Sequence, residues 1–203
     1  IAADYAEKQK YLKFTHNFDD DILSASRNMA KRYRCNTSHG QKIENYALQI
    51  FDAMKKFHGL GTRERLLLQI ASILHDCGKF ISLRDSSACA YNIIMATEII
   101  GLSHAEREIV AEVVRCNLDA FRYGEGSIRA GKLTAMLRLA NAMDRSHHGR
   151  LDDGKLQVKG NKLIISTSYA GNLALETMAV EDKADFFEEM FGIRPEIRQK
   201  RRV

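Results

Sequence analysis

A single proline, Pro195, stands among 203 residues, and that scarcity constrains the fold more than any other feature. Proline breaks helices, so a chain nearly free of it can run from one helix to the next with only glycines and caps between them. Up to about residue 146 the apolar residues recur at helical spacing and at no other. Asp4 to Phe14 and Asp20 to Tyr33 are expected to open the series, the second with Asp19, Asp20 and Asp21 at its N-terminus, where the helix dipole favours negative charge. Thr37 or Ser38 is expected to cap a long helix carrying Ile43, Tyr46, Ala47, Ile50, Phe51 and Met54 on one face. His58-Gly59-Leu60-Gly61 ends it, and Thr62 caps the next, whose Leu66, Leu67, Ile70, Ile73 and Leu74 run into His75-Asp76. Asp85 or Ser86 starts a helix through Ile100. Ser103 and Glu106 have the spacing of a capping box for one reaching about Asn117, and the last long helix runs from about Ala130 to Asp144.

The pattern changes after Gly149. Leu156 and Val158, then Leu163 and Ile165, alternate on either side of Gly160-Asn161, the signature of a hairpin. A third short strand is expected near Leu173 to Glu176, followed by a helix over Glu181 to Phe191. The fold class is therefore mainly α: a helical bundle over residues 1–150 and a small C-terminal α+β appendage over residues 151–203.

Hydrophobic residues make up 45% of the chain and charged residues 28%. No apolar run approaches the roughly 18 to 20 residues of a membrane span, and no segment resembles a signal peptide. A cytoplasmic protein without a membrane partner is expected. The chain begins with Ile1, which suggests a piece of a longer polypeptide. Cys35, Cys77, Cys89 and Cys116 form no Cys-x-x-Cys pair and read as small packing residues. The net charge of +5 favours anionic ligands. It is concentrated in the tail (Arg194, Arg198, Lys200, Arg201, Arg202), read as a solvated end, and from Arg138 through Arg150. No aromatic platform or groove-reading motif accompanies it, so nucleic acid is not an expected partner.

His75-Asp76 at the end of an apolar helix is the most informative stretch. Adjacent side chains cannot share one stripe of a regular helix, but at a helix end they can converge on one ion. A divalent cation accepts imidazole with carboxylate and keeps positions open for phosphate oxygens. His39 precedes the pair on one helix and Asp144 follows it on another. That order, His, His-Asp, Asp, resembles the HD phosphohydrolase superfamily. The resemblance implies that His39, His75, Asp76 and Asp144 hold one metal that polarises a phosphoryl oxygen and activates water.

A narrower resemblance covers nearly the whole chain. HGLGTRERLLLQIASILHDCGKFIS (58–82), IGLSHAEREIV (100–110), MLRLANAMDRSH (136–147), LALE (173–176) and FFEEMFG (186–192) look like the C-terminal HD-type domain of the Ppx/GppA family, exopolyphosphatases and guanosine pentaphosphate phosphatases. The family implies an N-terminal actin-like catalytic domain outside this chain, a homodimer, and inorganic polyphosphate or a phosphorylated nucleotide as ligand. His75, Asp76 and Lys79 are then the candidate catalytic residues, with Lys79 offsetting developing charge. Lys79, Arg84, Arg115 and Arg145 are the candidate phosphate contacts. The histidines that complete a second metal site in many relatives are missing: Asp85-Ser86-Ser87-Ala88-Cys89 and Arg115-Cys116-Asn117 stand in their places. A single ion (Mg, Mn, Fe or Zn) or none is expected. The rival reading is a catalytically silent polyphosphate-binding and dimerisation module. His147 and His148 follow the Asp144 helix, which can bring them near the site, but read as a solvated loop pair; His16, His58 and His104 read as surface or capping residues.

Overall fold

The computed structural model describes residues 18–121 and 128–200, so the expected helix Asp4 to Phe14, His16, Arg201 and Arg202 lie outside the described residues. Helix α1 (Phe18–Arg32) has the three aspartates in its first turn and Lys31 and Arg32 in its last, both matched to the dipole, and buries Ile22, Ser26 and Met29. Helix α2 (Thr37–Ala53) is capped by Asn36, whose side chain accepts the His39 N–H. Thr37 and Ser38, expected as caps, lie inside the helix, because Asn36 is the last residue with extended backbone. The chain then makes one short helical turn, α3 (Lys55–His58), and leaves it through left-handed Gly59.

Helix α4 (Thr62–Leu74) is the centre of the bundle. Nearly every side chain from Leu66 to Leu74 is buried, and the helix packs on α1, α2, α6 (His104–Leu118) and α7 (Ile128–Met143). Its N-terminus is served by Glu64, which accepts the Gly61 N–H at 2.8 Å, while Thr62 is the first helical residue and not the cap. His58 is buried as well: its Nε2–H donates to the Phe51 carbonyl and its Nδ1 accepts the Leu60 N–H, so it closes the α3 turn from inside and is no surface residue. A 3₁₀ turn (Cys77–Phe80) follows, then α5 (Ser86–Ala96), which stops short of Ile100. Cys77 and Cys116 are buried, Cys35 and Cys89 half-buried, and all are free thiols.

The capping box of α6 forms as the sequence implies, with the Ser103 hydroxyl accepting the Glu106 N–H and Glu106 accepting the Ser103 N–H. Glu106 also receives Arg63, and that guanidinium holds its carboxyl well below the usual range, at about 2 against 4.5. A depressed folded pKa stabilises above the unfolded pKa and ceases to as pH falls through the folded one. Glu106→Gln is therefore expected to cost roughly 1 kcal/mol at pH 7, a deficit that shrinks as pH falls from 4.5 toward 2. Urea denaturation at pH 7 and pH 3 checks this; a constant deficit contradicts it.

Strands β1 (Lys155–Lys159) and β2 (Lys162–Thr167) make the expected hairpin, with Lys159 opposite Lys162 across Gly160-Asn161. The expected third strand near Leu173 is instead the start of helix α8 (Ala174–Phe191). Asn172 accepts the Ala174 N–H, and Val180, Ala184 and Phe187 fall on one helical face buried against the body. The third strand comes later: β3 (Arg194–Gln199) lies parallel to β2, with Leu163 opposite Pro195 and Ile165 opposite Ile197. Pro195 is tolerated because β3 is an edge strand. Arg194 and Arg198 thus lie on a paired strand, where Arg198 is exposed as a solvated end would be. Arg194 pairs with Glu181, Asp185 and Glu188, and Arg198 with Glu196.

Leu163, Ile165, Val180, Phe187 and Ile193 share one apolar core with Ile50, Leu67 and Leu137, so the α+β part is seated directly on the helices. The chain is mainly α with a small C-terminal α+β portion. No helix among the described residues is long and apolar enough to cross a membrane.

Candidate metal centre

Three element ends meet at one point. His39 is in the first turn of α2, His75 caps the C-terminus of α4, and Asp76 leads into the 3₁₀ turn. Each of the three offers a ligand atom, and these atoms lie within 4.8 Å of one another. His39 and His75 are both 4% exposed, with their rings edge to face at 5.3 Å. Gly78 fixes where Asp76 points, because its backbone lies directly against α5. A Cβ there would fall 1.8 Å from the Ser86 carbonyl oxygen.

The protons can be placed from the partners. The Ser72 carbonyl can only accept, so the 2.7 Å contact with His75 Nδ1 puts the proton on that nitrogen. His75 Nε2 then carries a lone pair. It is buried without a hydrogen-bond partner, and it faces Asp76 Oδ1 at 3.5 Å. Burial pushes the His75 pKa down, so that contact joins a neutral imidazole to a carboxylate and is no salt bridge. Burial pushes the Asp76 carboxyl up, the Lys79 ammonium 2.7 Å away draws it down, and the group lies below its usual range. A lone pair and an anion turned toward each other in a buried place repel unless a cation lies between them, and the donor set suits one.

Asp144 follows α7 and is fully buried. Its Oδ2 accepts the His39 Nδ1–H at 2.8 Å and its Oδ1 the Gly149 N–H at 2.8 Å. Burial pushes this carboxyl up, and the two hydrogen bonds more than reverse it, leaving it ionised at neutral pH. Of the four residues expected around one ion, three converge and Asp144 joins them through His39. The carboxylate fixes the His39 tautomer and leaves Nε2 as the atom with a lone pair.

The expected phosphate contacts are dispersed. Lys79 is at the site through Asp76. Arg84 is exposed before α5, and Arg115 forms a bidentate pair with Glu112 beneath the Tyr91 ring. Arg145 lines a separate cavity with Asn117 and Lys183 on the α8 side. None of these arginines forms a hydrogen bond or ion pair with the trio or Asp144. His147 is an exposed loop residue and also a neighbour of the site: it stacks on His39 with ring centroids 3.8 Å apart, on a left-handed backbone with φ +59° that nothing in the sequence signals. His148 is exposed, as expected. The nearby Cys35 thiol is pushed up to about 11 by burial and by Asp76.

A mainly helical body with a histidine–aspartate cluster where its helices end is the arrangement that the fold and site define. Residues 23–182 match the family model for Ppx/GppA phosphatase, domain III, and the chain belongs to that family. It is 24% identical over 157 residues to a guanosine-5'-triphosphate,3'-diphosphate pyrophosphatase of Photobacterium profundum, a match taking in 74% of the chain and 32% of that protein. The chain therefore spans about a third of the length of the curated relative it matches.

Proposed function

We propose that this phosphatase-family domain holds one divalent cation on His39, His75 and Asp76, with Asp144 orienting His39. The ligand brought to it is a phosphate of inorganic polyphosphate or of a phosphorylated nucleotide. The buried, partnerless His75 Nε2 turned toward Asp76 is the observation that carries this reading. A bound cation would supply Lewis-acid polarisation of a phosphoryl oxygen. Lys79, nearly half exposed, is placed to swing from Asp76 onto a phosphate oxygen and offset its charge. His147 closes the solvent side of His39. The phosphoanhydride chemistry of the family would belong to an N-terminal catalytic domain beyond this chain.

A second reading, a silent polyphosphate-binding and dimerising module, is supported by the Lys79–Asp76 pair, which already neutralises the carboxylate. Elemental analysis with titration of Mn²⁺ and Zn²⁺ separates the two. The purified chain is expected to bind about one equivalent of metal, and Asp76→Ala to weaken that binding by about 100-fold. A chain that takes up no metal yet binds polyphosphate establishes the silent module instead.

A further inference from the structure

We propose that Tyr33, Arg34 and Phe80 form a subsite beside the trio for the planar ring of an organic phosphate ester, such as a nucleoside phosphate. The inference rests on the phosphate reading above and chooses between its two ligand classes. A cavity of about 220 Å³ is lined by these three residues and opens on Asp76 and Lys79. Ligand pockets commonly run from roughly 300 to 1,000 Å³, so this space suits one ring and leaves the phosphate on the Lys79 side.

Its walls have the chemistry of a ring platform. Tyr33 and Phe80 meet edge to face at 6.0 Å, and Phe80 is 50% exposed. The Arg34 guanidinium lies 5.8 Å from the Phe80 centroid and has no ion pair among the described residues. Aromatic faces and guanidinium planes are the surfaces on which bases stack. An inorganic polyphosphate is anionic along its whole length and gains nothing from a half-exposed phenylalanine at the mouth of its site.

The backbone points to the same place. Among the described residues, Arg34 (φ +49°) and His147 (φ +59°) are the non-glycine residues in the left-handed region. They flank the trio from two sides, Arg34 in the cavity with Asp76 and His147 stacked on His39. Arg34 takes that conformation as the left-handed residue that closes α1: the Cys35 N–H donates to the Ala30 carbonyl and the Arg34 N–H to the Lys31 carbonyl, and this helix end sets the guanidinium at the mouth of the cavity.

Calorimetric titration of the 203-residue chain with Mn²⁺ present tests the subsite, using phenyl phosphate, the nucleoside 5′-monophosphates, inorganic phosphate and inorganic triphosphate as probes. At least one ring-bearing ester is expected to bind about tenfold more tightly than inorganic phosphate. Phe80→Ala should abolish that preference without changing affinity for inorganic phosphate, and Phe80→Trp should keep it. Arg34→Gly, which suits the left-handed backbone, should weaken ring-bearing esters alone. Circular dichroism checks that each variant is folded. Equal affinity for both classes, or a preference that survives Phe80→Ala, overturns the subsite and leaves the phosphate reading standing. If no phosphate compound binds, the two fall together.

Discussion

Gly78→Ala is expected to lower the stability of the chain by about 3 kcal/mol or more and to abolish metal binding. A Cβ at residue 78 would sit 1.8 Å from the Ser86 carbonyl oxygen and 2.7 Å from the Ala90 nitrogen. Both are backbone atoms of α5, so no side chain can rotate away. Relief requires the 3₁₀ turn to move off α5, and that turn directly follows Asp76 and carries Lys79. Gly40→Ala is the control: it makes the same chemical change in α2, where nothing lies within 4 Å. There the better helix propensity of alanine should stabilise by up to about 1 kcal/mol. Urea denaturation of both variants reads the difference. A loss at Gly78 below about 0.5 kcal/mol, the ordinary scatter of surface changes, would mean that the turn and α5 are not in this contact.

Asp144→Ala is the other large effect, because one buried carboxylate serves two donors. Its loss leaves His39 Nδ1–H and the Gly149 N–H without an acceptor. Each orphaned donor costs about 1 to 3 kcal/mol, so a loss of roughly 2 to 4 kcal/mol is expected in thermal or urea melts. Metal affinity should fall by about 10- to 100-fold even if the carboxylate is no ligand, since it sets the His39 tautomer. Asp144→Asn separates charge from shape: it can still accept from one donor, and should lose less stability while metal binding still falls. The metal-free wild type carries a pH signature. With its folded pKa held below 3.8, Asp144 contributes fully above that value and progressively less as pH drops through the folded one. The metal-free Asn variant should show a flatter acid limb, and an identical limb would show that Asp144 is not ionised in the folded chain.

Most of the helical body is legible because it is written in local signals. Leu66 to Leu74 reads as one buried helix from its unbroken apolar character, and Ser103 with Glu106 announces a helix start by spacing alone. The hairpin is equally local, since Gly160-Asn161 allows little else between two alternating runs. What fails to show is decided at a distance. Leu173 to Glu176 is too short an apolar run to choose between strand and helix, and the choice is made by the face it presents to α7. Pro195 argues against a strand until its edge position is known. At the candidate centre the residue types and their order are visible in the sequence, which is why His39, His75 and Asp76 could be named beforehand. The placing of Asp144 behind His39 depends on the loop to Gly149, and the stacking of His147 on a positive φ; neither has a residue-level signature.

The parallel pairing of β2 with β3 has a consequence for synthesis of the chain. A hairpin alone is complete as soon as its second strand leaves the ribosome, but this sheet must wait for α8 to cross and for Arg194–Gln199 to arrive. Until then β2 presents a bare row of amides and carbonyls along Leu163, Ile164 and Ile165, beside side chains that end fully or almost fully buried. Nascent or clipped chains ending before Arg194 therefore display an adhesive strand that the finished protein hides, and crowded polysomes making them would be prone to tangling with one another.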